Sequence, residues 1–399
     1  MIHLALPLIL SIQPEQPSKP GPEDLAFAAA QAQVALDVYK LLDDAPGNVV
    51  FSPFSLSRAL SMTREGARGE TASEIDAALR LSPESGARFA ALARLLEPRS
   101  AGRKGDQHPV YTLELATSLW GQRGVPFQTD FVARLKAHYA SEIFPTEFQK
   151  PEEARSLINA WASAQTKERI SEILPAGILT SDTRLVLVDT VYFIAAWQDP
   201  FREANTKLEP FTTSKGVAVE ASTMHRVGNL AYAETERAQV LELPYEMGAA
   251  GLVIVLPKPG QTLDAVIEHE DVAAWTAQPA LKRVDVALPK FRFRFARQLN
   301  QTLQSLGVKQ AFQLSRADFT GIMPVPLAIG AVLQECFVAV DEKGTEAAAA
   351  TAVVMLRAAA ETRPEEPIVF RADHPFLFFV RHKSSGTVLF MGRVEDPTR

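Results

Sequence analysis

A single cysteine, Cys336, occurs in 399 residues. One thiol excludes a disulfide within the chain and any zinc site built on several thiolates, and it leaves the redox compartment unmarked. No run of about 18 consecutive apolar residues is present, so no membrane-spanning helix is expected. An excess of positive charge is also missing. The chain has 41 Lys and Arg against 47 Asp and Glu, a net charge of −6, which does not attract a polyphosphate, and nucleic acid is not an expected partner. The seven histidines (His3, His108, His138, His225, His269, His374 and His382) are scattered. No G-x-S-x-G, H-E-x-x-H, G-x-G-x-x-G or Walker pattern occurs. The chain is therefore not expected to be an enzyme, to hold a metal or to need a cofactor. Asp373-His374 leads into an apolar strand and reads as structural. Arg99, Arg103 and Lys104 read as a solvated loop before a polyanion site.

What is present is ordinary globular material, 47% apolar and 22% charged. Residues 1–22 are expected to be an N-terminal tail, a signal or a linker. Ile2 to Ile12 is mostly apolar but lacks a preceding Lys or Arg and a small-x-small site, and Gln13 to Pro22 holds four prolines. Residues 23–399 are expected to form one domain. Phe27, Val34, Val38 and Leu41 make a helical stripe. Ser52-Pro53 has the form of an N-cap followed by proline, and Thr71-Ala-Ser-Glu74 has capping-box spacing. Arg184 to Ala196 is almost wholly apolar and suits a central strand buried on both faces. Strands are expected at Leu113–Leu119, Val240–Leu243, Leu252–Leu256, Val284–Leu288, Phe291–Phe295, Leu333–Val340, Phe376–Arg381 and Val388–Val394. Leu299, Leu303 and Leu306 suit a short helix closed by Gly307, and Ser384-Ser385-Gly386 suits a hairpin turn. Helices and strands mix without regular alternation, so the fold class is α+β.

The informative segment is Asp341 to Pro367. Alanine has the best helix propensity, so its alanine-rich stretch can be a surface helix. Read at period two, Thr345, Ala347, Ala349, Thr351, Val353 and Met355 form one uncharged face. The other phase begins at Glu346. No proline lies between Gly344 and Pro364, so every N–H is available to a ladder. The segment suits a loop in one state and a central strand in another.

These residues resemble the reactive-loop hinge of the serpins: Asp341-Glu-Lys-Gly-Thr-Glu-Ala-Ala-Ala-Ala-Thr-Ala352. Further motifs are similar to the same family in the same order. They are Asn48-Val-Val-Phe-Ser-Pro-Phe-Ser55, Gly66-Ala-Arg-Gly69 with Thr71, Leu185 to Phe193 with Trp197, Leu241-Glu-Leu-Pro-Tyr245, Leu288-Pro-Lys-Phe291, His374 to Phe379, and Phe390-Met-Gly-Arg393. The likeness runs from about Glu23 to Thr398.

The resemblance implies three β-sheets, eight or nine helices and an exposed reactive-centre loop over about residues 343–367. It implies a metastable protease inhibitor and a suicide substrate: a serine protease, or a cysteine protease, cuts the loop and is trapped as an acyl-enzyme when the loop enters the main sheet. The implied hinge is Glu342, Gly344, Thr345, Glu346, Ala347, Ala348, Ala349, Ala350 and Thr351. Family spacing puts the scissile bond at Ala358-Ala359, for an elastase-like or subtilisin-like target. One residue earlier, Arg357-Ala358 would suit a trypsin-like target. The alternative is a non-inhibitory serpin, a carrier or chaperone. The family's gate region maps to Ser52, Ser55, Asp189, Gln334 and Trp197. Two positions depart from the family, which usually has asparagine at Asp189 and histidine at Gln334. An Asp–Gln pair can keep a hydrogen bond, and a buried carboxylate titrates upward, which puts the usual gate behaviour in doubt. A monomer is expected. The compartment is open, with extracellular or periplasmic placed before cytoplasmic.

Overall fold

The computed structural model describes residues 19–42, 46–97, 100–101, 108–109, 111–166, 168, 172–277, 279–345 and 366–399. Its helices are α1 (Pro22–Leu41), α2 (Pro53–Arg64), α3 (Gly69–Leu79), α4 (Ser85–Leu95), α5 (Thr129–Tyr139), α6 (Pro151–Gln165), α7 (Leu263–His269), α8 (Val272–Thr276) and α9 (Asn300–Leu306). The strands of the first half are β1 (Val49–Phe51), β2 (Ser100–Ala101), β3 (His108–Pro109), β4 (Tyr111–Gln122), β5 (Ile143–Thr146), β6 (Leu185–Ala196) and β7 (Lys207–Thr212). Those of the second are β8 (Ala218–Glu234), β9 (Ala238–Pro244), β10 (Ala250–Pro257), β11 (Ala280–Pro289), β12 (Phe291–Gln298), β13 (Ala331–Val340), β14 (Gly344–Thr345), β15 (Ile368–Arg371), β16 (Phe376–His382) and β17 (Val388–Val394).

Three sheets form among the described residues. The main sheet runs β12-β13-β14-β6-β4-β5. A nine-stranded sheet runs β1-β17-β16-β10-β9-β8-β11-β15, with β7 on β8, and β2 pairs with β3. α2 is buried from Pro53 to Thr63 because it packs against β17 of one sheet and β6 and β4 of the other. Its N-terminus is capped as its sequence suggests, the Ser52 hydroxyl accepting from the Ser55 N–H at 3.3 Å. Gly392 lies where β17 passes β1, and a Cβ there would stand 2.1 Å from the Val49 carbonyl oxygen.

β6 shows why its sequence is apolar at nearly every position. Leu185 and Leu187 face the large core that α2 occupies, and Val186 and Val188 face a second cluster beneath α6. Trp120, Phe148, Ile158 and Leu333 belong to that second cluster. Glycine at Gly307, with φ +117°, closes α9.

The capping-box reading of Thr71 and Glu74 is corrected. α3 begins earlier, at Gly69, with Arg68 at the N-cap. Thr71 Oγ1 accepts from the Asp318 N–H at 3.0 Å, and the Glu74 carboxylate accepts from Lys309 and Gln310 N–H at 2.7 and 2.6 Å. Tertiary donors claim both side chains, and a residue with φ +52°, Gly69, opens the helix instead. His374 is held between the Asp373 carboxylate (2.7 Å) and the Pro257 carbonyl (3.0 Å). Among the described residues no helix is long and apolar enough to cross a membrane.

α6 is held to the main sheet by its apolar face. Ile158→Ala is expected to cost about 2–5 kcal/mol, read from the denaturant midpoint with an unchanged m-value.

Candidate functional site

Two polar clusters lie along one line, where β6 meets β13. At its lower part the two strands pair in parallel, Ala331 with Val186 through Cys336 with Val191. Further up, β14 stands between them. Thr345 pairs antiparallel with Ala195 on one side and Val340 on the other. The start of the alanine-rich segment is thus already a strand of the main sheet.

The upper cluster fixes this position. The Trp197 ring stacks on Tyr245, with centroids 4.7 Å apart and planes at 4°. Its Nε1–H donates to the Asp341 carbonyl at 2.8 Å, and its backbone N–H donates to the Lys343 carbonyl at 2.8 Å. Asp341 Oδ1 accepts the N–H groups of Lys343 and Gly344 at 2.8 and 3.3 Å, which turns the chain into β14. The Tyr245 and Thr345 hydroxyls bond at 2.6 Å, both buried. Gly344 allows the close approach, since a Cβ there would lie 2.1 Å from the Ala195 carbonyl oxygen. Glu342 accepts from Thr206 Oγ1 at 2.7 Å and pairs with Lys290 Nζ at 2.9 Å. Burial alone would raise the Glu342 pKa, but Lys290, Thr206 and its own backbone N–H together hold it below the ordinary carboxylate value.

The lower cluster brings together Ser52, Ser55, Asp189 and Gln334. Asp189 and Gln334 face each other in register, and Gln334 Nε2 donates to Asp189 Oδ2 at 2.5 Å. Asp189 Oδ1 accepts from the Ser55 hydroxyl and from Thr117 Oγ1, the latter at 2.9 Å. Gln334 also donates to the Ser52 carbonyl (3.0 Å) and accepts the Ser52 N–H (2.9 Å). Arg58 is buried one turn further along α2, and its guanidinium donates to the Tyr139 carbonyl. Burial raises the pKa of Asp189; Ser55, Gln334, Thr117 and Arg58 oppose that rise without cancelling it.

Sequence reasoning missed Lys290, Thr206, Thr117 and Arg58. Lys290 and Tyr245 lie inside quoted motifs, but nothing in sequence spacing says that Lys290 reaches Glu342. The hinge residues Glu346 to Thr351, the scissile candidates Arg357, Ala358 and Ala359, and the basic residues Arg99, Arg103 and Lys104 lie outside the described residues. Among the described residues no group of three His, Cys, Asp or Glu side chains could hold a metal ion.

A family model described as Serpin (serine protease inhibitor) matches residues 29–397. This chain belongs to the serpin family. It is 39% identical to an uncharacterized serpin-like protein of Thermococcus kodakarensis, over 90% of this chain and 83% of that one. It is 36% identical to the leukocyte elastase inhibitor of Sus scrofa, over 93% of this chain and 99% of the relative. Among solved structures, Serpin48 of the insect Tenebrio molitor superposes with a TM-score of 0.83 at 30% identity, over 94% of this chain and 100% of that one. The serpin fold read from the motifs is therefore the fold of this chain.

The depressed pKa of Glu342 stabilises the fold above the unfolded-state value, and that contribution is lost as the pH falls through the folded value. Glu342→Gln is expected to lower stability by about 1 kcal/mol at neutral pH. The gap to wild type should close below about pH 4, read from denaturant midpoints at the two pH values.

Proposed function

We propose that this serpin is inhibitory: a serine protease cuts it within 346–365, and the freed segment continues β14 down the line between β6 and β13, carrying the acylated protease with it. The observation that carries the reading is the double pairing of Thr345 with Ala195 and Val340. Its offset is the one that already pairs Gln334 with Asp189, so neither flanking strand has to slip. Continued in this register, Ala347 stands against Phe193, Ala349 against Val191, Val353 against Leu187 and Met355 against Leu185, the first residue of β6. The alternate residues Ala352 and Val354 come against Val188 and Val186, beneath α6.

Small uncharged side chains therefore enter first, beside Phe193 and Val191 of the core, and larger apolar ones arrive last. Thr345 to Met355 at ~1 kcal/mol per ladder position yields on the order of 10 kcal/mol, comparable with the stability of a whole domain. Cleavage at Ala358-Ala359 suits an elastase-like or subtilisin-like protease, a target class in keeping with the name of the porcine relative. Cleavage at Arg357-Ala358 suits a trypsin-like one, whose pocket carboxylate pairs with guanidinium.

Mixed with pancreatic elastase and with trypsin, the protein is expected to give a complex that survives a denaturing gel, and the released peptide identifies the cut. The nicked form should melt higher than the intact one by roughly 20 °C, at ~2 °C per kcal/mol for a chain of this size. Plain cleavage without a trapped complex and with an unchanged melting temperature overturns the proposal.

Thr345 is already buried against Tyr245 in the intact fold. Ala349→Arg puts a charge at a position that would enter only after cleavage, on the core face beside Val191, at a cost of several kcal/mol. It should turn the inhibitor into a substrate, seen as cleaved product replacing complex on the same gel.

A further inference from the structure

Asp189 is a carboxylate with 1% of its surface exposed, set on the line along which the main sheet has to part. Its three side-chain donors, Ser55, Thr117 and Gln334, are all neutral. The facing cation is Arg58 of α2, whose guanidinium is turned to the Tyr139 carbonyl of α5. From β13 the neighbouring titratable groups are the Cys336 thiol, which burial keeps protonated, and Glu335 with Arg294 nearby. Beyond Arg58, Tyr139 of α5 meets Glu65, which in turn holds His138 and Arg134. When ionised, Asp189 thus holds its charge in the core with hydrogen bonds but without a salt-bridge partner among the described residues. A buried charge so placed is costly.

The N-terminus of α2 spans the two strands. Ser52 grips Gln334 of β13 and Ser55 grips Asp189 of β6. Widening the gap by one strand spacing, about 4.8 Å, separates Asp189 from Gln334 and admits water. Water replaces the lost donor at little cost, and it returns hydration that the closed sheet denies to the carboxylate.

We propose that ionised Asp189 acts as a wedge that keeps β6 and β13 poised to part, so that strand insertion speeds up as the pH rises. The proposal rests on the insertion reading given above. Protons bind the buried Asp189 of the closed sheet more tightly than the hydrated Asp189 of the parted one. Protonation therefore holds the sheet shut. That hold is complete below the ordinary carboxylate value and is lost as the pH rises from there through the raised value of Asp189. The acid effect on Glu342 is separate, because its pKa is shifted downward where that of Asp189 is shifted upward.

Asp189→Asn keeps the shape and a workable set of bonds: the amide oxygen accepts from Gln334, and the amide N–H groups donate to the Ser55 and Thr117 hydroxyls. The probe is a synthetic peptide with the sequence of residues 347–356, which leaves the slot of Thr345 to the chain itself, added to the intact protein, with the inserted fraction followed by native electrophoresis. Wild type is expected to insert faster at about pH 8 than at about pH 5, by at most about tenfold for each unit that burial adds to the Asp189 pKa. Asp189→Asn is expected to insert at the slow acid rate at both. Equal slopes in the two proteins overturn the wedge. Faster wild-type insertion in acid also overturns it, and this needs no variant should Asp189→Asn fail to fold. A peptide that enters neither protein at any pH overturns the insertion reading, and the wedge with it.

Discussion

β6 and β13 keep one register from Gln334 and Asp189 up to Thr345. Much else in the molecule depends on that constraint. The lower contact is a parallel ladder, and β14 at the top is antiparallel to both neighbours. Parallel pairing is slightly weaker per residue than antiparallel pairing. Replacing one parallel seam by two antiparallel ladders therefore adds hydrogen bonds and improves their geometry, with no slip of either flank. On the inhibitory reading proposed above, the free energy for trapping a protease lies in that exchange.

The two clusters on the seam handle charge in opposite ways. Glu342 stands at the top, partnered by a lysine that reaches solvent, and its charge is favoured there. Asp189 stands in the middle, fully enclosed, and its charge is disfavoured despite three hydrogen bonds. One carboxylate ties the turn before β14 to Lys290 and Thr206; the other bridges β6 and β13 where they pair in parallel. Trp197 and Tyr245 form the apolar platform between the turn at Asp341 and the first inserted residue. α6 covers the lower seam through side chains on β6 and β13 that a new strand would have to pass.

Much of the fold was legible in the sequence, and particular residues show why. β6 declared itself because burial on both faces demands apolar side chains at consecutive positions. Ser52-Pro53 declared the start of α2, and Gly307 the end of α9, because caps are local chemistry. Thr71 and Glu74 misled for the converse reason: their spacing fits a local cap, but backbone donors from residues 309, 310 and 318 lie closer in space. Lys290, Thr206, Thr117 and Arg58 could not be assigned, since each meets its partner only across elements distant in sequence.

By itself the sequence determined the family, the period-two pattern of the alanine-rich segment and the departure to Asp189 and Gln334, because these are matters of residue type and order. The tertiary structure alone decided that Thr345 already lies in the main sheet, that its register is shared by both neighbours, and that Asp189 is enclosed with no cation in contact among the described residues. Register and burial depend on where strands far apart in the chain come to rest against each other, and no local pattern carries that information.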